Sequence, residues 1–312
     1  MNIESLFDIP YIQELNAETI GHFNYNNTVH IGVLNSAFPY WIGSITKTSK
    51  TAIMVLASKY DRAQHIYREL NEWGEDFFDV HILPEIEVLP FERQLSDNST
   101  IQARIRTLAK LIGIDVGNTT KTPIIVTSLR AITENTIDLS LFKRISKTVQ
   151  VGEKIPIVDF LKQCQDLGYT HDESVDRYGT ISRRGGIVDI FSPSEDFPVR
   201  IEFFGDVIES LRNFNPVSQI SIGSIKQTLI LPAQEVLPSQ ISKEDLEELS
   251  SKLDISGCKP DVAYKVEEDI SLLLNGNIPL DCSLYGGSLS RGSVLDYLPE
   301  KAILIIERFG EL

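Results

Sequence analysis

Cysteine is scarce in this 312-residue chain, and none is placed for metal binding or for a disulfide framework. Cys164, Cys258 and Cys282 lie far apart and no CxxC pair occurs, so the sequence predicts neither a zinc site nor a disulfide-stapled fold. No apolar run approaches the roughly 18 residues that a membrane-spanning helix needs. The N-terminal stretch MNIESLFDIPYIQEL is acidic and lacks the layout of a signal peptide. We therefore expect a cytoplasmic protein.

Basic charge is also scarce. The chain has 29 lysines and arginines against 44 aspartates and glutamates, which gives a net charge of −15 and a pI of about 4.8. A surface that binds duplex DNA needs clustered basic residues, so this balance argues against DNA as the main partner. The least acidic segment runs from Lys147 to Ala233, with 9 basic and 12 acidic residues. Arg184 and Arg200, which are considered below as binding residues, lie in this segment.

Strands and helices alternate through the first half of the sequence. The composition, 42% hydrophobic and 23% charged, is that of an ordinary globular protein, and the length allows two or three domains. An amphipathic helix is predicted over residues 1–22. Apolar runs predict strands at Thr28–Leu34, Thr51–Ser58, Val80–Leu83 and Pro123–Thr127, with helices at Lys59–Trp73 and Thr100–Ile112. This alternation predicts a parallel sheet covered by helices on both faces.

The phosphate-binding loop of a nucleotide fold is missing. A loop of the form GxxxxGK[ST] is expected after the first predicted strand, but the residues there are Gly32-Val33-Leu34-Asn35-Ser36-Ala37-Phe38-Pro39. No lysine is present to neutralise phosphate, no hydroxyl lies in the metal-binding position, and Phe38-Pro39 hinders close approach of backbone N–H groups. The carboxylates Glu85, Glu87 and Glu92 beside Arg93 are interpreted as a solvated turn. The sequence therefore predicts no nucleotide cofactor, no metal site and no ATP hydrolysis.

Two hairpins are predicted between Arg177 and Pro216. Their strands are residues 178–183, 187–191, 199–204 and 207–214. The first pair flanks Arg184-Gly185-Gly186, and the second flanks Gly205-Asp206, a pair typical of a type II′ turn. A strand with Val149 and Val151 and a helix over Pro156–Leu167, ended by Gly168, come before the hairpins. Helices over Ser242–Leu253 and Pro260–Leu274 and a last strand, Ala302–Ile306, come after them.

The first strand of the second hairpin alternates with a period of two. Its apolar face is predicted to consist of Val199, Ile201 and Phe203. The other face places Phe204 beside Arg200 and Glu202, and an exposed aromatic next to an arginine is typical of a binding hot spot. The alternative is that a neighbouring loop or domain covers Phe204.

Three stretches of the central segment form a nearly continuous pattern: RGGIVDIFSP at Arg184–Pro193, PVRIEFFGDVIESLRNFNPVSQ at Pro198–Gln219 and LPAQEV at Leu231–Val236. With these residues the segment resembles the UvrA-binding domain shared by the excision-repair protein UvrB and the transcription-repair coupling factor (Mfd). The resemblance implies that Arg184, Arg200 and Phe204 contact UvrA. Two structural alternatives stay open: Arg184 only pins the turn beside its two glycines, and Arg200 only pairs across strands with Glu209.

The resemblance also implies the architecture. It predicts an α/β fold in which a degenerate RecA-like parallel-sheet domain is interrupted by an inserted α/β UvrA-interaction domain. The predicted boundaries are 1–146 for the first half of the degenerate domain, 147–233 for the inserted domain and 234–312 for the second half. The segment Val88–Leu111 is similar to the family's "LP-aromatic-E" stretch. The acidic motif of an active helicase is replaced by Glu307-Arg308, which speaks against Mg²⁺-nucleotide chemistry.

Three functional interpretations follow from the resemblance. The leading one is a UvrB-like adaptor from the N-terminal part of a coupling factor, which binds UvrA and reaches RNA polymerase and DNA only through domains absent here. The rival is an enzyme, an ATP-dependent helicase or excision-repair subunit of the UvrB type, which needs the missing lysine. The third is that the same surface docks intramolecularly on another part of the full-length protein.

Overall fold

The computed structural model describes residues 10–26, 28–74, 77–86, 98–113, 121–277, 279, 285 and 289–308. Within these residues the chain forms a four-stranded parallel sheet, a six-stranded sheet that is almost entirely antiparallel and a small two-stranded sheet. No helix in these ranges combines the length and the apolar character that crossing a membrane requires.

The parallel sheet consists of β1 (Ile53–Ala57), β2 (Asp79–Ile82), β3 (Pro123–Ser128) and β12 (Ile303–Ile306), in the order β12-β1-β3-β2. Every residue of β1 is buried, as expected for a parallel strand covered on both faces. The neighbouring β3 is almost as deeply buried. The prediction of a mixed α/β fold with a parallel sheet is confirmed.

Helices enclose this sheet from both sides. They are α1 (Pro10–Asn26), α2 (Phe38–Ser49), α3 (Tyr60–Gly74), α4 (Asn98–Leu111), α5 (Leu129–Thr133) and α6 (Leu139–Ile145), with a 3₁₀ turn at Asn35–Ala37. In α3, Ala63, Ile66 and Leu70 recur at helical spacing and are buried against the sheet. A separate core on the opposite face includes Ile105 of α4.

The structure differs from two of the predictions for the N-terminal region. The predicted strand Thr28–Leu34 is wrong: residues 28–34 have no regular secondary structure, and Leu34 is 78% exposed. Gly32 in the middle of this run weakens a strand, because it contributes no side chain to pack and costs backbone entropy. The predicted helix over residues 1–22 corresponds to α1, while residues 1–9 lie outside the described ranges.

The antiparallel sheet occupies the centre of the sequence. Its strands are β5 (Thr170–His171), β6 (Thr180–Arg184), β7 (Ile187–Ile190), β8 (Val199–Phe204), β9 (Val207–Phe214) and β10 (Ser221–Ile225). They follow one another in order across the sheet. Helix α7 (Ile157–Asp166) covers one face and buries Phe160 and Cys164. Gly168, with φ +86°, allows the chain to leave this helix, as the sequence predicts.

The segments that enter and leave this region pair with each other as two antiparallel strands. β4 (Lys147–Gln150) and β11 (Gln227–Ile230) form the two-stranded antiparallel sheet. Around β11, Leu229 and Leu231 are buried in the core of the parallel-sheet region, whereas Ile230 is buried in the core under the antiparallel sheet. The alternation of one short strand therefore joins the two cores.

Helix α4 also joins the two regions through polar contacts. Arg104 is fully buried and donates to Glu235 at 2.9 Å and to the carbonyl of Pro84 at 2.8 Å. It also pairs with Glu134 at 3.1 Å. On the same helix, Arg106 donates to the Tyr178 hydroxyl at 3.3 Å. These contacts fix α4 against segments that lie on both sides of it in the sequence.

The last part of the chain is helical before it returns to β12. α8 (Lys243–Lys252) is preceded by Ser242, whose Oγ accepts the N–H of Asp245 at 3.1 Å, so Ser242 is the N-cap as the sequence predicts. α9 (Pro260–Leu274) packs on it through a separate apolar cluster that includes Leu246 and Leu273. Short 3₁₀ turns occur at Pro238–Gln240 and Val294–Tyr297. The RecA-like relationship and the three domain boundaries stay predictions.

Candidate protein-binding face of the antiparallel sheet

Strand β8 separates its side chains as its sequence predicts. Val199 and Ile201 are buried, and Phe203 packs against Phe160 of α7 with ring centroids 5.8 Å apart. Arg200 and Glu202 are half-buried on the other face, and Phe204 is 78% exposed. Within the described residues no loop or domain covers Phe204. The alternative that a neighbouring segment covers this ring is therefore wrong for the described chain.

A β-bulge keeps the partner strand in phase. Glu202 lies opposite Ser210 and Phe203 lies opposite Ile208, so Glu209 is an extra residue with no partner on β8. Because of this shift, Ile208 faces the core and Val207 lies beside Phe204 on the solvent side. Gly205, with φ +61°, supplies the left-handed first position of the two-residue turn, in agreement with the Gly-first turn predicted here.

The solvent side of the sheet is called the outer face below. Its residues, read from the strand register, are Arg184, Ile187, Asp189, Arg200, Glu202, Phe204, Val207, Ser210 and Arg212. The three residues predicted from the sequence therefore share one face. The face carries three arginines and two carboxylates, so it is net positive in a chain whose net charge is −15.

Arg184 lies in β6 rather than in the turn, which corrects the predicted Arg-Gly-Gly turn. It pairs with Ile187, and the turn is only Gly185-Gly186. Its Nη2 donates to the carbonyl of Glu173 at 2.8 Å, while Arg183 is the residue that donates to the turn carbonyl of Gly185, at 3.1 Å. The role of pinning the turn thus belongs to Arg183, and Arg184 remains exposed.

Arg200 is held by two neighbouring side chains. Its Nε and Nη2 donate to the two carboxylate oxygens of Asp189 at 2.7 and 2.8 Å, and its guanidinium lies 4.6 Å from the centroid of the Phe214 ring. The hydrogen bonds to Asp189 raise the pKa of Arg200. The suggested cross-strand partner Glu209 is wrong, because the bulge leaves it unpaired and Asp189 lies directly opposite Arg200.

Arg212 completes the row of charges, although the sequence analysis did not single it out. It lies opposite Arg200 on β9, and its Nη2 donates to Glu202 at 2.5 Å. The same carboxylate oxygen of Glu202 accepts the hydroxyl of Ser210 at 2.7 Å. The Ser210 hydroxyl first, and then Arg212, lower the pKa of Glu202. The alternation of β9 could have identified Arg212 and Val207, but only with the position of the bulge known.

The start of α2 and a cavity lie at the carboxyl edge of the parallel sheet. Phe38 and Pro39 are the first two residues of α2, and they are buried. A cavity of about 320 Å³ lies beside them, lined largely by apolar side chains such as Trp41 and Ile305. Glu307 is buried and pairs with Arg62 of α3 at 2.8 Å. Glu87, Glu92 and Arg93 lie outside the described residues, and Glu85 accepts the hydroxyl of Ser128.

Comparison with known proteins finds similarity in the central region. The family model of the UvrB interaction domain matches residues 148–236. The transcription-repair-coupling factor of Myxococcus xanthus is 36% identical over 155 residues, which are 50% of this chain and 12% of that protein. The corresponding factor of Mycobacterium bovis is 31% identical over 208 residues, 62% of this chain and 16% of that protein.

The similarity also extends beyond the central region. The transcription-repair-coupling factor of Staphylococcus aureus strain RF122 is 22% identical over 301 residues, 93% of this chain and 25% of that protein. The chain thus spans at most about a quarter of the length of these relatives. Residues 148–236 thus match the family of the UvrB interaction domain, within a chain that is similar over most of its length to the transcription-repair-coupling factors.

Proposed function

We propose that this chain is a UvrB-like adaptor module that binds UvrA through the outer face of its antiparallel sheet. In a transcription-repair coupling factor, such a module recruits UvrA to RNA polymerase that has stalled at DNA damage. Contacts with the polymerase and with DNA are assigned to other domains of the full-length factor. The RecA-like region, divided by the segment 147–233, serves as the rigid support of the adaptor.

The observation that carries this proposal is Phe204. It is 78% exposed on a strand whose other side packs on the core through Val199 and Ile201, within the segment that matches the UvrB interaction domain. A large exposed aromatic on a rigid strand loses little conformational entropy on binding and removes much apolar surface from water. Val207, which is 37% exposed and lies opposite it, extends the apolar area.

Arg184 and Arg200 have different roles in the proposal. Arg200 presents a guanidinium that Asp189 holds in one orientation, so a partner meets a preorganised donor. Arg184 is exposed and uses Nη2 on the backbone carbonyl of Glu173, which leaves the rest of its fork toward solvent. Arginine suits both positions because its planar fork binds carboxylates while its stem packs on apolar surface.

The test is a calorimetric titration of the 312-residue chain with UvrA. Phe204→Ala should weaken binding by roughly 30-fold or more, because hot-spot truncation typically costs about 2 kcal/mol or more. Tyr264→Ala is the matched control, since this aromatic is 68% exposed on α9, away from the outer face. Urea unfolding of both variants checks that the fold is intact. UvrA affinity that is equal in Phe204→Ala and wild type contradicts the proposal.

The adaptor is also proposed to act without hydrolysing ATP. The segment where phosphate binds in an active enzyme contains no lysine, and Phe38 and Pro39 lead directly into α2. The rival enzyme of the UvrB type requires turnover, so phosphate release is measured from the chain alone and with UvrA present, against a UvrA-only background. Release above that background that scales with the concentration of this chain supports the rival.

A further inference from the structure

The outer face places two arginines directly opposite each other. Arg200 on β8 and Arg212 on β9 are register partners in adjacent antiparallel strands. Side chains at such positions have Cβ atoms roughly 4.5 to 5.5 Å apart, and like charges there destabilise the sheet. A solvent-exposed sheet face gains no stability from two arginines at opposite positions. A negatively charged group that both arginines can reach would turn the repulsion into attraction.

Each arginine is anchored by one carboxylate on a different side. Asp189 on β7 holds the Nε and Nη2 edge of Arg200, and Glu202 on β8 holds Nη2 of Arg212. Within the described chain, Nη1 of Arg200 and the Nε and Nη1 of Arg212 donate no hydrogen bond. The two anchors therefore fix the guanidinium groups and leave several donors available to a ligand.

The surroundings favour an acidic ligand that arrives from solvent. Arg212 is 39% exposed, whereas Arg200 is 21% exposed and has the Phe214 ring beneath it. Ser224 of β10 lies opposite Arg212 on the far side and is uncharged. Phe204 lies on the same face of β8, four residues along the strand from Arg200. A partner that covers Phe204 thus also reaches the arginine pair.

We propose that Arg200 and Arg212 together bind one carboxylate side chain of the partner protein, which makes Arg212 a further specificity-determining residue of the face. This inference rests on the proposed function, because it takes UvrA to be the partner that contacts Phe204. It adds that the partner carries an aspartate or glutamate at this position. Shared binding of one carboxylate by two guanidinium groups gives short, charge-assisted hydrogen bonds from both sides.

The test compares UvrA affinity across charge variants of the full 312-residue chain. Arg212→Gln should weaken binding roughly tenfold and reduce the salt dependence of the affinity, because a charge pair is lost at the interface. Arg212→Lys should recover only part of the loss, since an ammonium keeps the charge but not the fork. Arg177→Gln is the control: Arg177 lies in the same region, is 72% exposed and is paired with Asp172, so affinity should stay within about twofold of wild type.

A double variant tests whether the two arginines share one ligand. Arg200→Lys is used because it keeps a cation beside Asp189, and it should weaken binding by a factor similar to Arg212→Gln. If one carboxylate is shared, the double variant should lose clearly less than the product of the two single factors. Losses that multiply contradict a shared carboxylate.

The outcomes separate this inference from the proposed function. If Phe204→Ala loses UvrA binding while Arg212→Gln stays within about twofold of wild type, the arginine pair is not a partner site and the adaptor proposal stands. If neither variant changes the affinity, both are wrong. Urea midpoints near that of the wild type confirm that Arg212→Gln is folded.

Discussion

The two large sheets of this molecule use their charged side chains in opposite ways. Around the parallel sheet, Arg104 is fully buried and joins Glu134, Glu235 and two backbone carbonyls. On the antiparallel sheet, Arg200, Arg212 and Arg184 lie on a face that remains open to solvent. Buried ions hold segments of one chain in register, whereas exposed ions held in place by neighbours are available to a second chain. We therefore expect the first group to control stability and the second to control binding.

The largest effect on stability is expected at Arg104. Arg104→Ala leaves the buried Glu235 without its cation, and removing one partner of a buried ion pair typically costs about 3 to 5 kcal/mol. Urea unfolding monitored by circular dichroism measures this change. Arg130→Ala is the control. The Arg130 side chain is half-exposed and its Nε comes no nearer to the Glu134 carboxylate than 3.9 Å, so its loss should cost below about 1 kcal/mol. Equal losses in the two variants would show that the buried cluster does not secure the fold.

The same cluster predicts a pH dependence of stability. Burial raises the pKa of Glu134 to about 7, and the attraction of Arg104 only partly offsets it because Glu235 lies nearby. The folded state therefore keeps a proton on Glu134 that the unfolded state loses near its ordinary pKa of about 4.5. This contribution is fully present below pH 4.5 and is lost as pH rises towards 7, by about 2 to 3 kcal/mol.

Glu134→Gln tests this assignment. The amide has no proton to lose, so the free energy of unfolding of Glu134→Gln relative to wild type should rise between pH 5 and pH 8. Glu153→Gln serves as the comparison, since this carboxylate pairs with Lys147 at 3.4 Å in the antiparallel region. If the free energy of unfolding depends on pH in the same way in Glu134→Gln and in wild type, the pH dependence belongs to other groups.

An intermediate effect is expected at Arg200, which lies between the two classes. Arg200→Ala leaves Asp189, which is 7% exposed, without its bidentate partner, and an unsatisfied buried group costs about 1 to 3 kcal/mol. Arg200→Lys should recover about half of this loss or more, because a cation remains beside Asp189. Thermal and urea unfolding measure both variants. If Arg200→Ala is as stable as wild type, its loss of UvrA binding can be assigned to the interface alone.

The sequence was most informative where one local pattern determines the outcome. Alternation on β8 placed Arg200 and Phe204 on one face, and helical spacing placed Ala63, Ile66 and Leu70 in the core of α3. It failed where a single backbone irregularity decides the register. The bulge at Glu209 changes which residues of β9 face solvent, and no residue type in that strand marks it.

Long-range contacts were also beyond the sequence. Asp189 and Arg200 become partners only when β7 and β8 pair in one particular register, whereas the choice of Glu209 considered only the strands of the second hairpin. The run Thr28–Leu34 has strand composition, yet a strand forms only where a neighbouring strand accepts its hydrogen bonds. The outer-face residues all lie within the segments that carry the family resemblance, so the predicted site could be placed on the sequence before its geometry was known.

The smallest effect on stability is expected at Arg212, although its proposed effect on binding is large. Arg212→Gln removes one hydrogen bond to Glu202, which keeps its bond from Ser210, and it relieves the repulsion with Arg200. The free energy of unfolding should therefore change by less than about 0.5 kcal/mol. Urea unfolding of Arg212→Gln beside Arg104→Ala makes the comparison direct. A destabilisation of Arg212→Gln near that of Arg104→Ala would mean that the outer face is organised for the fold, and the division between the two sheets would be wrong.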